Sequence, residues 1–315
     1  MTAGLVRLGL AGVGRWGRNY VRTIGGMSDA VLTAVASGNP ETASLVPPNC
    51  RVVAQWSDLL AVDVDGIIIA TPPATHAAIL LAAVAAGKPV LVEKPLVTTA
   101  ADLDALAAVP PGAVVMVEHT HLFHPAFRAL KREVAARGRP LSIRSSAGNA
   151  GPYRPDVSVL WDWGPHDIAM ALDLVPGPAA VTGAAVLEQQ PVDGAVAERL
   201  RIGLDLDGGV SCDIMLSTLG PRHRWFAVDY DDCTLIYVDP HETPLRHIGW
   251  RGAGPTEAGT EIRTAADRPL TVAVREFVSA VRDGGRSCAD LTLALRVVNV
   301  LLRCEREMAD DRPVL

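Results

Sequence analysis

The chain has 315 residues, 49% hydrophobic, 20% charged and only 4% aromatic, with a formal net charge of −6. That length suits two domains or one large one, and an acidic balance without any basic block argues against nucleic acid as the main partner. Five scattered cysteines (Cys50, Cys212, Cys233, Cys288, Cys304), odd in number and never spaced Cys-x-x-Cys, point away from a disulfide framework or zinc centre and towards a reducing compartment. The longest apolar run, residues 77–87, is too short to span a bilayer, and the N-terminus lacks a signal-type pattern. A cytoplasmic protein without a membrane partner is expected. Of 29 basic residues only Lys88, Lys94 and Lys131 are lysine, so each lysine invites a reason.

Residues 5–11 read as a strand, followed at once by Gly12-Val13-Gly14-Arg15-Trp16-Gly17 and a helical stretch, 19–24, ended by Gly25-Gly26. Strand, Gly-x-Gly-x-x-Gly, helix is the context that a dinucleotide-binding fingerprint requires. Gly12 allows the tight turn, Gly14 lets a pyrophosphate approach the backbone, and Gly17 lets helix and strand pack closely. The exposed amides of the helix start hold the phosphates.

The alternation continues with strands at 31–37 and 65–70, a helix at 76–86, a strand at 89–92, a helix at 100–108 and a strand at 113–117. Such alternation predicts an α/β, doubly wound parallel sheet, whose ligands bind at the carboxyl ends of the strands. Gly12, Ser37, Thr71-Pro72-Pro73 and Glu93-Lys94-Pro95 all fall there. After the second strand the chain reads Ala36-Ser37-Gly38-Asn39, with no carboxylate until Glu41. NAD-binding forms usually place an acid there for the ribose 2′-hydroxyl. Ser37 and Asn39 suit hydrogen bonds to a 2′-phosphate, with Arg15 to neutralise it, which favours NADP and leaves NAD possible. The same residues also suit a plain turn.

Glu93-Lys94 on a surface would be an ion pair of little weight. At a strand end it uses one of three lysines, and an ammonium passes a proton where a guanidinium does not. Glu118-His119-Thr120-His121-Leu122-Phe123-His124 holds three histidines, but not at a standard zinc spacing, so no metal is expected. A substrate-facing or structural role ranks first.

Residues 159–170 set Asp162, His166 and Asp167 beside Trp161 and Trp163. Pro165 fits a first helical turn, with Asp162 as its cap. Alternatively Asp162 and His166, four apart, form a catalytic pair; the segment alone leaves both open. Each tryptophan suits stacking on a sugar ring or core packing. From about residue 141 the rhythm changes to strand-like runs at 180–187, 197–206, 209–217, 224–229 and 233–238, separated by tight turns, which predicts an antiparallel sheet. Helices at 272–283 and 291–308 close the chain, broken at Gly284-Gly285, and 250–268 reads as a loop. Two domains, 1–120 and 121–315, are expected.

The glycine loop, Ala70-Thr71-Pro72-Pro73-Ala74-Thr75-His76, the block at 86–96 ending Val92-Glu93-Lys94-Pro95-Leu96, and Asp162…His166 run in a familiar order. Over essentially its whole length the chain resembles the glucose-fructose oxidoreductase / inositol dehydrogenase / rhizopine catabolism (Gfo/Idh/MocA) family. The resemblance implies an N-terminal Rossmann domain followed by an α+β domain with a large open, mostly antiparallel sheet. It implies NAD(P)-dependent hydride transfer at a hydroxyl or keto carbon of a sugar, nucleotide sugar or cyclitol. Lys94 would lie beside the nicotinamide, preceding a proline in a bond that is often cis, and Asp162 and His166 would complete the catalytic set. Cofactor contacts would come from Gly12, Val13, Gly14, Arg15, Trp16, Gly17, Ser37, Gly38, Asn39, Thr71, Pro72, Pro73, His76, Glu93 and Lys94.

Ser37-Gly38-Asn39 is similar to the strand ending of the branch that holds NADP. The stretch from Asp156 to Asp162, with Pro165-His166-Asp167, resembles a branch found with nucleotide-sugar genes, from which Trp163-Gly164 departs. Family members pair through the open sheet, which implies a homodimer or homotetramer. The family also includes non-catalytic nucleotide-sensing regulators and enzymes acting on imines or diols, which stand as the alternatives.

Overall fold

A computed structural model describes residues 4–151, 153, 157–192, 194–239, 245–251, 254–255, 260–283 and 290–310. Its contacts divide the chain into two units, Met1–Thr120 with Arg268–Val298, and His121–Asp267 with Asn299–Leu315. Residues 268–298 thus return to the first unit instead of staying with the second half of the chain.

The first unit runs β1 (Val6–Ala11), α1 (Gly17–Gly25), β2 (Ala30–Ala36), α2 (Thr42–Leu45), β3 (Arg51–Val53), β4 (Gly66–Ile69), α3 (His76–Ala85), β5 (Val90–Glu93), α4 (Ala100–Ala107) and β6 (Val115–Glu118). The strands form one six-stranded sheet in the order β3-β2-β1-β4-β5-β6, every pairing parallel. Strands buried on both faces are continuously apolar, as in Gly-Ile-Ile-Ile of β4, all buried. The order reverses between β1 and β4, which sets the switch point where such sheets bind ligands. The expected elements are all present, within a residue or two. The sequence reading lacked the one-turn helix α2, β3, whose three residues include two exposed ones, and the 3-10 turn Trp56–Ala61.

The second unit begins with α5 (Pro125–Arg137), β7 (Ser142–Gly148) and α6 (Val159–Leu174). The long hairpin β8 (Ala179–Val192) and β9 (Ala195–Leu206) follows, then β10 (Val210–Ser217), β11 (His223–Asp229), β12 (Cys233–Val238), β13 (Leu245–Arg251), β14 (Gly254–Pro255) and β15 (Thr260–Glu261). Helices α7 (Pro269–Asp283) and α8 (Leu291–Asp310) end the described chain. The nine-stranded sheet has the order β14-β13-β12-β11-β7-β10-β9-β8, with β15 added on β13, and only β7 with β10 is parallel. Along β9 burial alternates: Leu200, Ile202, Leu204 and Leu206 are buried, while Arg199, Arg201 and Asp205 face water. Helix α6 covers the buried side of β9 and β10. Edge strand β8 carries register shifts between Val181 and Gly183 and between Val186 and Glu188. The stretch 250–268, expected as a loop, contributes β14 and β15. Asp156, the Gly284-Gly285 break and Cys288 lie outside the described residues. No helix among the described residues is long and apolar enough to cross a membrane.

Helix α6 corrects the expectation that Asp162 is its cap. Ser158 is the N-cap, and the Asp162 amide already donates to the Ser158 carbonyl at 2.9 Å. Asp162 therefore sits a full turn inside, and Pro165 lies in the helix interior. Lacking an N–H, Pro165 makes no bond to the Trp161 carbonyl one turn back, so the helix tolerates the proline at the loss of one backbone bond. Asp167 has a separate task. Its Oδ2 accepts from Arg224 Nη1 at 2.6 Å, with both side chains at most 5% exposed, and the guanidinium lies 5.7 Å over the Trp163 ring. Trp161 is buried and donates its indole N–H to Glu305 at 2.9 Å, which makes it a core residue.

Truncating Arg224 to alanine strands the buried Asp167 charge, and urea unfolding is expected to show a loss of about 3–5 kcal/mol. Adding Asp167→Asn should recover much of that loss; no recovery in the double variant would show that the pair is not what Arg224 contributes.

Candidate active site

The glycine loop is fixed by two close backbone approaches. Gly12 has φ +92°, and a Cβ there would lie 2.7 Å from the Ala70 carbonyl oxygen. A Cβ on Gly17 would lie 2.1 Å from the Gly12 carbonyl oxygen. Gly14 differs: nothing lies within 4 Å of its notional Cβ, so the loop is open on that side. Helix α1 begins behind it with Trp16 as N-cap, no side-chain cap bond and no acid in the first turn. An open glycine before an uncapped, acid-free helix start suits the diphosphate of a dinucleotide, so these residues fit NAD(P). Val13 is buried beneath the loop, while Arg15 is exposed.

At the end of β2, Ser37 Oγ accepts from the Asn39 amide (3.2 Å) and from Thr42 Oγ1 (2.7 Å). Asn39 Oδ1 accepts from the Glu41 amide at 3.0 Å, and Gly38 is exposed. The segment is therefore a turn whose polar groups also sit at a strand end. After β4, Thr71 Oγ1 accepts from Thr75 at 2.7 Å, and Pro72 and Pro73 lead into the 3-10 turn Pro73–Thr75. His76 is fully buried. Its Nε2 faces the Thr71 carbonyl at 2.8 Å and its Nδ1 faces the Pro95 and Leu96 carbonyls at 3.1 Å each. Burial holds its pKa below the ordinary value, against those carbonyls. The ring braces two strand-end loops from inside.

Glu93 closes β5, and the Lys94–Pro95 bond that follows is cis. Glu93 Oε1 accepts from Tyr20 O–H at 2.7 Å and from the Trp16 indole N–H. Lys94 is half-buried. Burial raises the Glu93 carboxyl, against the pull of Tyr20, Lys94 and Trp16. Beside it Glu118, at the end of β6, is fully buried and accepts from Thr120 Oγ1 at 2.6 Å. Burial, then the neighbouring Glu93, pushes its carboxyl well above the usual range. His119 is buried with its pKa down to about 3, through burial and then Lys94. From sequence alone neither Glu118 nor Tyr20 had a place beside Glu93. An acid ending an otherwise apolar four-residue strand was the available signal for Glu118.

In the second unit, Asp162 and His166 lie one turn apart on α6, both half-buried. The His121 ring stands edge-on to His166, with centroids 5.1 Å apart. His121 Nδ1 is 2.9 Å from the hydroxyl of the buried Tyr237, and the His124 ring lies 5.1 Å from the Tyr237 ring. His124 Nδ1 also accepts from the Ala126 amide, capping α5. The histidine-rich segment thus divides: Glu118 and His119 belong to the first unit, while His121 and His124 belong to the second.

A parallel sheet with a glycine cradle at its switch point defines a dinucleotide-binding protein of the Rossmann class. The sequence model of the oxidoreductase family with an NAD-binding Rossmann fold matches residues 6–119. A Magnetospirillum magnetotacticum MS-1 protein of solved structure, assigned as an oxidoreductase, is 42% identical with a TM-score of 0.88, covering 96% of this chain and 100% of that one. The UDP-N-acetylglucosamine 3-dehydrogenase of Acidithiobacillus ferrooxidans is 28% identical over 87% of this chain and 86% of its own. Inositol 2-dehydrogenase 2 of Paenarthrobacter aurescens is 30% identical over 54% of each chain, so the chain spans about half the length of that relative. The chain belongs to the Gfo/Idh/MocA oxidoreductase family, as its sequence resemblance implies.

The cradle makes a differential prediction. Gly14→Ala should place a methyl where the diphosphate lies and weaken NADPH binding about tenfold or more, with the thermal midpoint unchanged. Gly17→Ala should lower the midpoint itself. Fluorescence titration and thermal unfolding of both variants separate the two effects, and equal behaviour would show that Gly14 is not the open side.

Proposed function

We propose that the chain is an NAD(P)-dependent oxidoreductase that moves a hydride between nicotinamide and a hydroxyl or keto carbon of a sugar, nucleotide sugar or cyclitol. The observation that supports it best is the joint presence of the glycine cradle with Lys94, Asp162 and His166. A non-catalytic sensor needs the cradle but no proton-transfer set, so the enzyme reading is preferred. When bound, the cofactor supplies the hydride chemistry; the chain's residues bind, orient and move the proton.

In this reading residues 12–17 hold the diphosphate, and the strand ends at 37–39, 71–73 and 93–94 line the rest of the dinucleotide. His166 takes the proton of the substrate hydroxyl during oxidation and returns it during reduction. Asp162, one turn earlier on the same helix, orients its imidazole and stabilises the cation that forms. Lys94 polarises the substrate oxygen. Ser37 and Asn39, with Arg15, favour NADP through its 2′-phosphate. The exposed sheet face, with Leu187 51% and Val196 49% exposed, is where a second copy would seat to give a homodimer or homotetramer.

Titration with NADPH and NADH tests the cofactor half. Tighter NADPH binding is expected, and Ser37→Asp should weaken it while strengthening NADH, because a carboxylate repels the 2′-phosphate and accepts from a 2′-hydroxyl. A preference for NADH in the wild type would overturn the reading of the β2 end. For the chemistry, His166→Ala and Lys94→Ala should each lower kcat on a responsive sugar substrate by about 100-fold or more, with cofactor Kd largely kept. Wild-type turnover in either variant would remove that residue from the mechanism.

A further inference from the structure

Glu93 and Glu118 are the last residues of adjacent parallel strands and pair in register. Strands in a ladder lie about 4.8 Å apart, and in-register side chains share a face. Both residues are buried. Near them are Trp16, the N-cap of α1, Tyr20 within α1, Lys94 after β5, and His119 and Thr120 after β6; the Asp290 backbone bridges Met116, two residues before Glu118. The donors are unevenly shared. Glu93 Oε1 takes both the Trp16 indole N–H and the Tyr20 hydroxyl. Glu118 takes one hydroxyl, Thr120, on Oε2. Its Oε1 is buried without a hydrogen-bond partner among the described residues, as are both ring nitrogens of His119.

Two carboxyl groups this close and shut from water do not both ionise. The donors on Glu93, with Lys94, bring its burial-raised carboxyl back only to about 7, still below that of Glu118, so the last proton stays with Glu118. His119 cannot supply a compensating charge, because its own burial keeps it neutral.

We propose that Glu118, held as the neutral acid, is a positioning residue for the cofactor loop: it leaves Glu93 ionised and clamped on Trp16 and Tyr20. Trp16 belongs to the glycine fingerprint and Tyr20 to the next turn of α1, so the clamp ties the loop at 12–17 to the end of β5. The proposal rests on the dinucleotide reading above and deepens it by making the shape of the cradle depend on one buried proton. Ionising Glu118 would set a second charge against Glu93 and loosen its grip on both donors.

Three measurements on wild type, Glu118→Gln and Glu93→Gln test this. Infrared difference spectroscopy of the cofactor-free protein, above neutral pH where Glu93 has ionised, should show a protonated-carboxyl C=O band that Glu118→Gln removes. Hydrogen exchange of the amides at the start of α1 should be equally slow in wild type and Glu118→Gln, and faster in Glu93→Gln. NADPH affinity should follow the same order, about tenfold weaker in Glu93→Gln and unchanged in Glu118→Gln. A carboxyl band that survives Glu118→Gln, or a Glu118→Gln protein that behaves like Glu93→Gln, would overturn the assignment. If Glu118→Gln fails to fold, titration of the wild-type band decides: persistence above neutral pH supports the neutral acid, and loss below it refutes it. Should the wild type bind no nicotinamide cofactor, the proposed function fails, while the band and the exchange rates still judge the clamp.

Discussion

The first unit depends on one backbone approach. The start of α1 packs so tightly on the Gly12 carbonyl that any side chain at residue 17 would collide with it. Gly12 itself has no room for a Cβ against Ala70, at the end of the neighbouring strand β4. These two constraints lock β1, β4 and α1 together at the place where the strand order reverses. Once α1 is fixed there, its residues at positions 16 and 20, one turn apart, share a face and reach the same carboxyl oxygen of Glu93. The phosphate cradle and the Glu93-Lys94 strand end are thus one assembly, and the arrangement would not survive a shift of α1 by the width of a methyl group.

Much of this was legible in the sequence because the signals are local. A strand that is apolar but for Arg7, three glycines at fixed spacing and an amphipathic turn of helix specify the β1–α1 unit without help from distant residues. The four remaining strands of the alternation were equally clear, being apolar along most of their length. Strand β3 was not, since a three-residue strand with two exposed side chains leaves no pattern. Pairing of Glu93 with Glu118 was hidden for a different reason. A parallel register is set by a crossover of more than twenty residues, so which two strand ends lie side by side cannot be read from either one. The bracing role of His76 was also out of reach, because its partners are backbone carbonyls, which leave no trace in side-chain identity.

In the second unit the polar residues of α6 show how periodicity assigns tasks. Asp162 and His166 are one turn apart and share a face. Asp167 is the next residue after His166 and points about 100° away, where it meets Arg224, 57 positions later in the chain. Sequence proximity suggested a single polar cluster; the helix separates it into a structural ion pair and a candidate proton-transfer pair. The same limit applies to His121, whose hydroxyl partner Tyr237 lies 116 positions away. Pro165 misled in the other direction: its preference for first turns is a tendency, and here the preceding turn and a half was helical already.

The irregularities of β8 carry a consequence for self-association. A strand at the rim of a sheet presents unpaired N–H and C=O groups to which another chain can add, in principle without end. Two register shifts within fourteen residues break that row into pieces that no straight strand can match, and Pro191 near its end withholds one donor altogether. Growth by strand addition is thereby discouraged along this border, while the broad flat of the sheet stays accessible. Copies that meet flat against flat about a twofold axis bury the same patch on both sides and leave none over. The crooked border thus works against open-ended, fibre-like growth from this edge.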